Sequence, residues 1–229
     1  MNENTIALDN PLKRLGFASE RLIEPGQMGG ICARAGIGKT SFVVQMGLHA
    51  MARGEKVLHI SLDEPVTKIN LWYREVFNLM APMNNISLIN PAWDAILPNR
   101  LIMTLKIDGF SIPRLEERLG DLIEQDIFKP QTLIIDGFPF DTCDRCMLKD
   151  LKILAEKMGM NVWFTVNTHR HEPPDQDGYP VQLSGISDLF TVLFQMVPDN
   201  KNVKLELLKG KPEGGQPVFI DTETMLLYA

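Results

Sequence analysis

The sequence predicts an α/β domain: a mostly parallel central sheet with helices on both faces and an antiparallel extension at its C-terminal end. Three observations predict it. Near-continuous apolar runs at 28–33, 56–62, 132–136, 161–168 and 191–197 have the length of strands covered on both faces. Helical patterns at 39–53, 66–79, 112–125 and 143–158 fall between these runs, and such alternation implies parallel strands joined by right-handed crossovers. The tail then changes character. Short runs at 203–209, 217–221 and 225–228 are separated by turn residues, which is antiparallel patterning.

In chain order, the first ~15 residues lack any such pattern and are expected to be a tail or linker to the body of the domain. Gly54 follows the first helix and Gly159 the last, where a C-terminal glycine is wanted. Ser111, with Pro113 just inside and Glu116 beyond, opens the third helix. Residues 80–100 are rich in Pro and Asn and read as a long connection, with 100–107 as a candidate extra strand. Residues 169–184, HRHEPPDQDGYPVQLS, are expected to form a mobile loop, and long loops in compact domains are more often functional than filler.

Composition bounds the function. A chain of 229 residues, 45% hydrophobic and 23% charged, suits a single globular domain over 1–229. No apolar run reaches the ~18 to 20 residues that span a bilayer. The opening MNENTIALDNPLKRL lacks a basic-then-apolar signal layout, so the expected compartment is the cytoplasm. Three cysteines, odd and sparse, agree with a reducing compartment. A net charge of −6 weighs against a protein held on nucleic acid by bulk charge, although a local basic groove is compatible with it.

The chemistry is concentrated after the first strand. Ala33-Arg34-Ala35-Gly36-Ile37-Gly38-Lys39-Thr40 is a phosphate-binding loop of the Walker A type, with Ala33 in place of the first glycine. Gly36 and Gly38 let the backbone turn tightly, so that successive N–H groups face a phosphate. The loop runs into the start of a helix, where the dipole favours negative charge. Residues 35–41, Ala35, Gly36, Ile37, Gly38, Lys39, Thr40 and Ser41, are therefore the expected nucleotide cradle. Lys39 reaches the β- and γ-phosphates of ATP, and the Thr40 hydroxyl ligates Mg²⁺.

Such a loop needs a carboxylate at the end of another apolar strand to help hold the metal, and Asp136 closes LIID. Gly137 follows it, where some ATPases carry a water-activating Glu. The other place for a catalytic carboxylate is the end of the second strand, at Asp63-Glu64. One of the two would orient or deprotonate the attacking water. The bland alternative is that both cap the helix after Pro65.

This pattern resembles a family. ARAGIGKTSFVVQMGLHAMARGEKVLHISLDEP is similar to the opening of the RecA-like ATPase core shared by RecA, the DnaB-type helicases and the KaiC-type ATPases. KIDGFSIPRLEERLGDLIEQ followed by QTLIIDGF continues the likeness, which covers about residues 16–228. The resemblance implies a three-layer RecA-like domain and a catalytic carboxylate at Asp63 or Glu64, the acidic pair being closest to KaiC. It makes Asn167 a sensor of the γ-phosphate. It also implies that Lys209 or Lys211, from Lys209-Gly210-Lys211, reaches across a subunit interface to a neighbour's ATP, so that the working form is a homo-oligomer, a ring or filament. The sequence departs from the helicases in showing no accessory domain before the core. Its 169–184 loop stands where RecA and the helicases contact DNA, yet carries Glu172, Asp175 and Asp177 and lacks a surplus of Lys and Arg.

A second constellation is Cys143-Asp144-Arg145-Cys146 with His169 and His171, whose strand ends are neighbours in the family's sheet. The spacing is that of ordinary thiols more than of a zinc site or redox pair. Trp72, Trp93 and Trp163 call for no special role, and Trp163 reads as core. The expected function is a Mg-ATP-dependent ATPase coupling hydrolysis to conformational change in a homo-oligomer that acts on protein partners. The alternatives are a DNA-dependent helicase or recombinase-type ATPase and a nucleotide-binding switch with little hydrolysis.

Overall fold

The computed structural model describes residues 6, 8, 10, 12–17, 21–199, 202–210 and 216–228. Six parallel strands carry the domain: β1 (Met28–Ala33), β2 (Val57–Ser61), β3 (Arg100–Thr104), β4 (Thr132–Asp136), β5 (Asn161–Asn167) and β6 (Val192–Asp199). The antiparallel β7 (Asn202–Lys209), β8 (Val218–Asp221) and β9 (Leu227–Tyr228) extend the sheet beyond β6, in the order β3-β2-β4-β5-β1-β6-β7-β8-β9. The register aligns the strand ends. Ala33 pairs with Asn167, and Ser61 pairs with both Asp136 and Thr104. The C-terminal ends of β1, β5, β4, β2 and β3 therefore lie along one edge.

The sheet separates two apolar layers, because successive side chains of a strand point to opposite faces. Ile134 packs with α1 (Lys39–Ala52), α2 (Val66–Met83) and α3 (Ile89–Ile96), through Phe42, Phe77 and Trp93 among others. Leu133 and Ile135 pack on the other side with α4 (Ile112–Glu124) and α5 (Arg145–Met158), through Leu119 and Leu151. Helices thus cover both faces, as expected. Trp163 is core, stacked on Phe194 with centroids 6.4 Å apart.

The ends of elements follow their chemistry. Gly159 closes α5 in the left-handed conformation, and the Asp144 carboxylate opens it by accepting from the Cys146 N–H at 3.0 Å. Ser111 precedes α4 in extended backbone and Pro113 sits in the first turn, while the Ser111 side chain makes no capping bond.

One expectation changes, one is met, and others gain detail. Residues 80–100 are no open connection: α2 runs on through Pro82 to Met83, and α3 follows, with Pro91 in its first turn where no N–H is needed. Ala92, Trp93 and Ile96 give α3 a buried face. The candidate extra strand is β3, the parallel edge of the sheet. Within the segment expected to be a tail or linker, Leu8 and Leu12 are buried, and the Leu8 carbonyl lies 2.8 Å from His49 Nδ1. In the 169–184 loop, Asp175 Oδ1 accepts from the Asp177 and Tyr179 N–H groups, and a 3-10 turn spans Val181–Leu183.

Candidate functional site

The site lies at the C-terminal edge of the parallel strands, where the chain turns from β1 into α1. Gly36 and Gly38 both have positive φ, +80° and +107°, which L side chains rarely adopt. Gly38 is the N-cap of α1, so the first N–H groups of the helix open into the loop. Lys39 is folded back across that loop. Its Nζ donates to the carbonyls of Ala33 and Arg34, each at 3.0 Å. Burial pushes its ammonium below the ordinary lysine range, against the pull of Asp136, Cys32 and Asp63.

One residue on, the Thr40 hydroxyl donates to Asp136 Oδ2 at 2.8 Å. The other carboxylate oxygen, Oδ1, accepts from the Thr165 hydroxyl at 2.6 Å, and the Thr165 oxygen in turn accepts from the Gly137 N–H at 3.0 Å. Burial alone would raise the Asp136 carboxyl. The His59 imidazole and the hydroxyls of Thr165 and Thr40 outweigh it and hold the group below the usual carboxylate range.

The two acidic residues after β2 separate in the structure. A Cβ added at Gly137 would stand 2.3 Å from Asp63 Oδ2, so the glycine makes room for that carboxylate. Burial, then Asp136, then Glu64 raise the Asp63 pKa, while Lys39 opposes them. Glu64 is half-buried and bound to Lys68, one helical turn on, at 2.5 Å. Asp63 is thus the carboxylate set against the Asp136 strand end. A side chain at 137, Glu included, would collide with it, and the positive φ of Gly137 disfavours one as well.

Together these residues line a cleft of about 260 Å³. Ala35, Gly36, Gly38, Lys39 and Thr40 line it, with Asp63, Glu64, Asp136 and Asn167. Ile37 packs against the core, and the Ser41 hydroxyl turns away to donate to the Met225 carbonyl at 2.9 Å. Ser41 contributes to the cleft only through its place in the helix start.

The donor set suits a hard divalent cation. Magnesium is commonly held by one or two protein oxygens, with waters and substrate phosphates completing the octahedron. Thr40 and Asp136 present such oxygens side by side. Among the described residues no three His, Cys, Asp or Glu side chains cluster as a metal site, and that holds for Cys143, Cys146, His169 and His171. Cys143 Sγ instead lies 3.7 Å from the Asp144 carbonyl, and His169 Nε2 lies 3.2 Å from Asp141 Oδ2.

Lys209 is not among the residues that line the cleft. Its Nζ donates to the Ser187 carbonyl at 2.8 Å. Lys211 lies outside the described residues. Four residues that the sequence reading passed over belong to the site: Thr165 and His59 beside Asp136, and Trp72 and Met225 in the lining. The signal for Thr165 and His59 was a polar residue flanked by apolar ones in the interior of VWFTVN and VLHIS. Trp72, read as needing no role, forms part of the cleft wall.

No helix among the described residues is long and apolar enough to cross a membrane. Neither the models of known protein families nor the curated proteins contain a match to this chain.

Proposed function

We propose that the chain is a RecA/KaiC-like ATPase that binds Mg-ATP in this cleft and hydrolyses it. The observation that carries the reading is the meeting of three elements at one edge: the Gly36–Gly38 loop at the start of α1, the Thr40–Asp136 hydrogen bond, and Asp63 seated against Gly137. Backbone N–H groups at a helix start and a neighbouring lysine suit a polyphosphate. Magnesium held by Thr40 and Asp136 would neutralise charge on the terminal phosphates. Lys39 exchanges its carbonyl partners for phosphate oxygens. Asp63 orients the attacking water and draws its proton, and Asn167 senses the γ-phosphate from the end of β5. The strand order supports the likeness, since β5 stands between the loop strand β1 and the Asp136 strand β4.

Conformational coupling in a homo-oligomer that acts on a protein partner completes the proposal. Lys209 is committed within its own chain, so Lys211 takes the part of the cation offered to a neighbour's γ-phosphate. The test is titration calorimetry with Mg-ATP and a phosphate-release assay on the wild type and Lys39→Ala. The wild type is expected to bind and hydrolyse ATP. Removal of the lysine, a charged hydrogen-bonding group, is expected to weaken binding about 100-fold or more. Equal affinity in the two proteins would sink the proposal. Single-stranded DNA is expected to stimulate hydrolysis less than about twofold, since its phosphates require a cationic surplus that the 169–184 loop lacks. Strong stimulation would favour a DNA-dependent motor instead.

A further inference from the structure

His59 is wholly buried at the centre of β2. It points to the face covered by α1 and α2, as Val57 does two residues earlier. Its Nδ1 lies 3.2 Å from the Tyr73 hydroxyl, and the two rings meet edge to face with centroids 5.6 Å apart. Its Nε2 has no hydrogen-bond partner among the described residues and lies 3.9 Å from Asp136 Oδ2. A buried polar atom left without a partner costs about 1–3 kcal/mol. Phe or Leu would fill the same space without that cost, so the bare nitrogen beside Asp136 asks for a reason.

The surroundings fix the ring from behind. Tyr73 is fully buried on α2, and the Arg100 guanidinium lies over its ring at 4.6 Å. Its hydroxyl stands 2.6 Å from where a Cβ at Gly47 would be, so a side chain at 47 would displace it. Asp136 shows the complementary need. Thr165 steadies Oδ1, but Thr40 alone hydrogen-bonds Oδ2, and Thr40 is the residue that also has to offer its oxygen to the cation.

We infer that His59 is a positioning residue for Asp136: the Tyr73 hydroxyl donates to Nδ1, the ring proton therefore sits on Nε2, and that N–H steers Oδ2 so that the carboxylate keeps its aim when Thr40 serves the metal. The inference rests on the magnesium-nucleotide reading of the cleft. Histidines and carboxylates around metal ligands act in this way, orienting a ligand they do not replace.

The test reads the ratio of nucleotide affinities with and without magnesium in wild type, His59→Phe, His59→Gln and Tyr73→Phe. General damage to the fold lowers both affinities and leaves the ratio alone, whereas lost aim of Asp136 collapses it. His59→Phe is expected to reduce the ratio about tenfold, the lower end of what loss of such a support costs in metal affinity. His59→Gln, whose amide carries a donor to nearly the place of Nε2, is expected to return it to within about threefold of wild type. Tyr73→Phe, losing only the hydroxyl, falls between the two. An unchanged ratio in His59→Phe overturns the inference and leaves the reading of the cleft standing. A wild type whose affinity magnesium does not alter overturns that reading, and the inference with it. A separate check needs no nucleotide: long-range ¹H–¹⁵N spectra of the metal-free protein are expected to place the His59 proton on Nε2. A bare Nε2 there overturns the proposal.

Discussion

The two halves of the sheet use their polar residues differently. In the parallel half, β3-β2-β4-β5-β1-β6, every strand runs the same way, and Ser61, Asp136, Asn167 and Ala33 end at one edge. Those strand ends and the turns after them bring Lys39, Asp63 and Asp136 around one cleft. In the antiparallel half, β7 to β9 alternate in direction, so their turns fall at both ends and their polar groups hold structure together. Gln45 of α1 receives the Leu227 N–H on its Oε1 at 3.0 Å and donates to the Met225 carbonyl at 2.9 Å. Lys209 closes on Ser187. Parallel strands concentrate chemistry at their carboxyl ends; antiparallel ones spread their polar residues and here act as a clasp.

If that division is right, the largest effects on turnover lie in the parallel half, and they fall unequally on the adjacent acids. Asp63→Asn keeps the size of the side chain against Gly137 and removes its basicity. Hydrolysis in a single-turnover phosphate-release assay is expected to fall about 100-fold, the scale of one general base. Glu64→Gln loses an exposed pair with Lys68, worth about 0–1 kcal/mol, and is expected to leave turnover within about twofold. The reverse pattern would move the catalytic carboxylate to Glu64.

The contrast also explains what the sequence revealed. Strands of the parallel half are apolar on both faces, so runs such as LIID and VWFTVN announced themselves, and the loop motif was placed by the strand before it and the helix after it. The polar partners inside those strands were hidden, because His59 and Thr165 acquire meaning only when the register sets them beside Asp136. Separating Asp63 from Glu64 likewise needed the approach to Gly137. The helix α3 was missed because Asn90 and Pro91 mark a loop locally, while its burial through Trp93 is a tertiary fact. The burial of Leu8 and Leu12 escaped for the same reason: they show no period, and their place in the core is a tertiary fact.

The clasp is open to a stability measurement. Gln45 is buried, and truncation to Ala removes both of its bonds to the β8–β9 turn. The Met225 carbonyl keeps the Ser41 hydroxyl, but the Leu227 N–H loses its partner. An unpaired buried donor costs about 1–3 kcal/mol, so Gln45→Ala is expected to unfold at lower denaturant by about 2 kcal/mol. Because Met225 also lines the cleft and lies on Gly38, ATP affinity is expected to weaken modestly alongside. Full stability in Gln45→Ala would show that the antiparallel half is not secured through α1.

The smallest effect tests whether the antiparallel half has any share in the chemistry. Lys209 and Lys211 are two residues apart, and the resemblance assigns one of them to a neighbouring subunit's phosphate. Lys209 is half-buried and already donates to Ser187, a bond that a cation reaching across an interface would have to give up. Lys209→Ala is therefore expected to lower stability by about 1 kcal/mol, the net worth of one such hydrogen bond, and to leave hydrolysis within about twofold. Lys211→Ala is expected to do the opposite: turnover falls about tenfold at saturating ATP, with affinity nearly intact, as for a cation that acts on transition-state charge. The readout is the pair of variants measured for both quantities at one protein concentration, since a contribution in trans also depends on assembly. A loss of turnover confined to Lys209→Ala would mean that the Ser187 contact is exchanged on assembly. The clasp half would then carry a catalytic group after all.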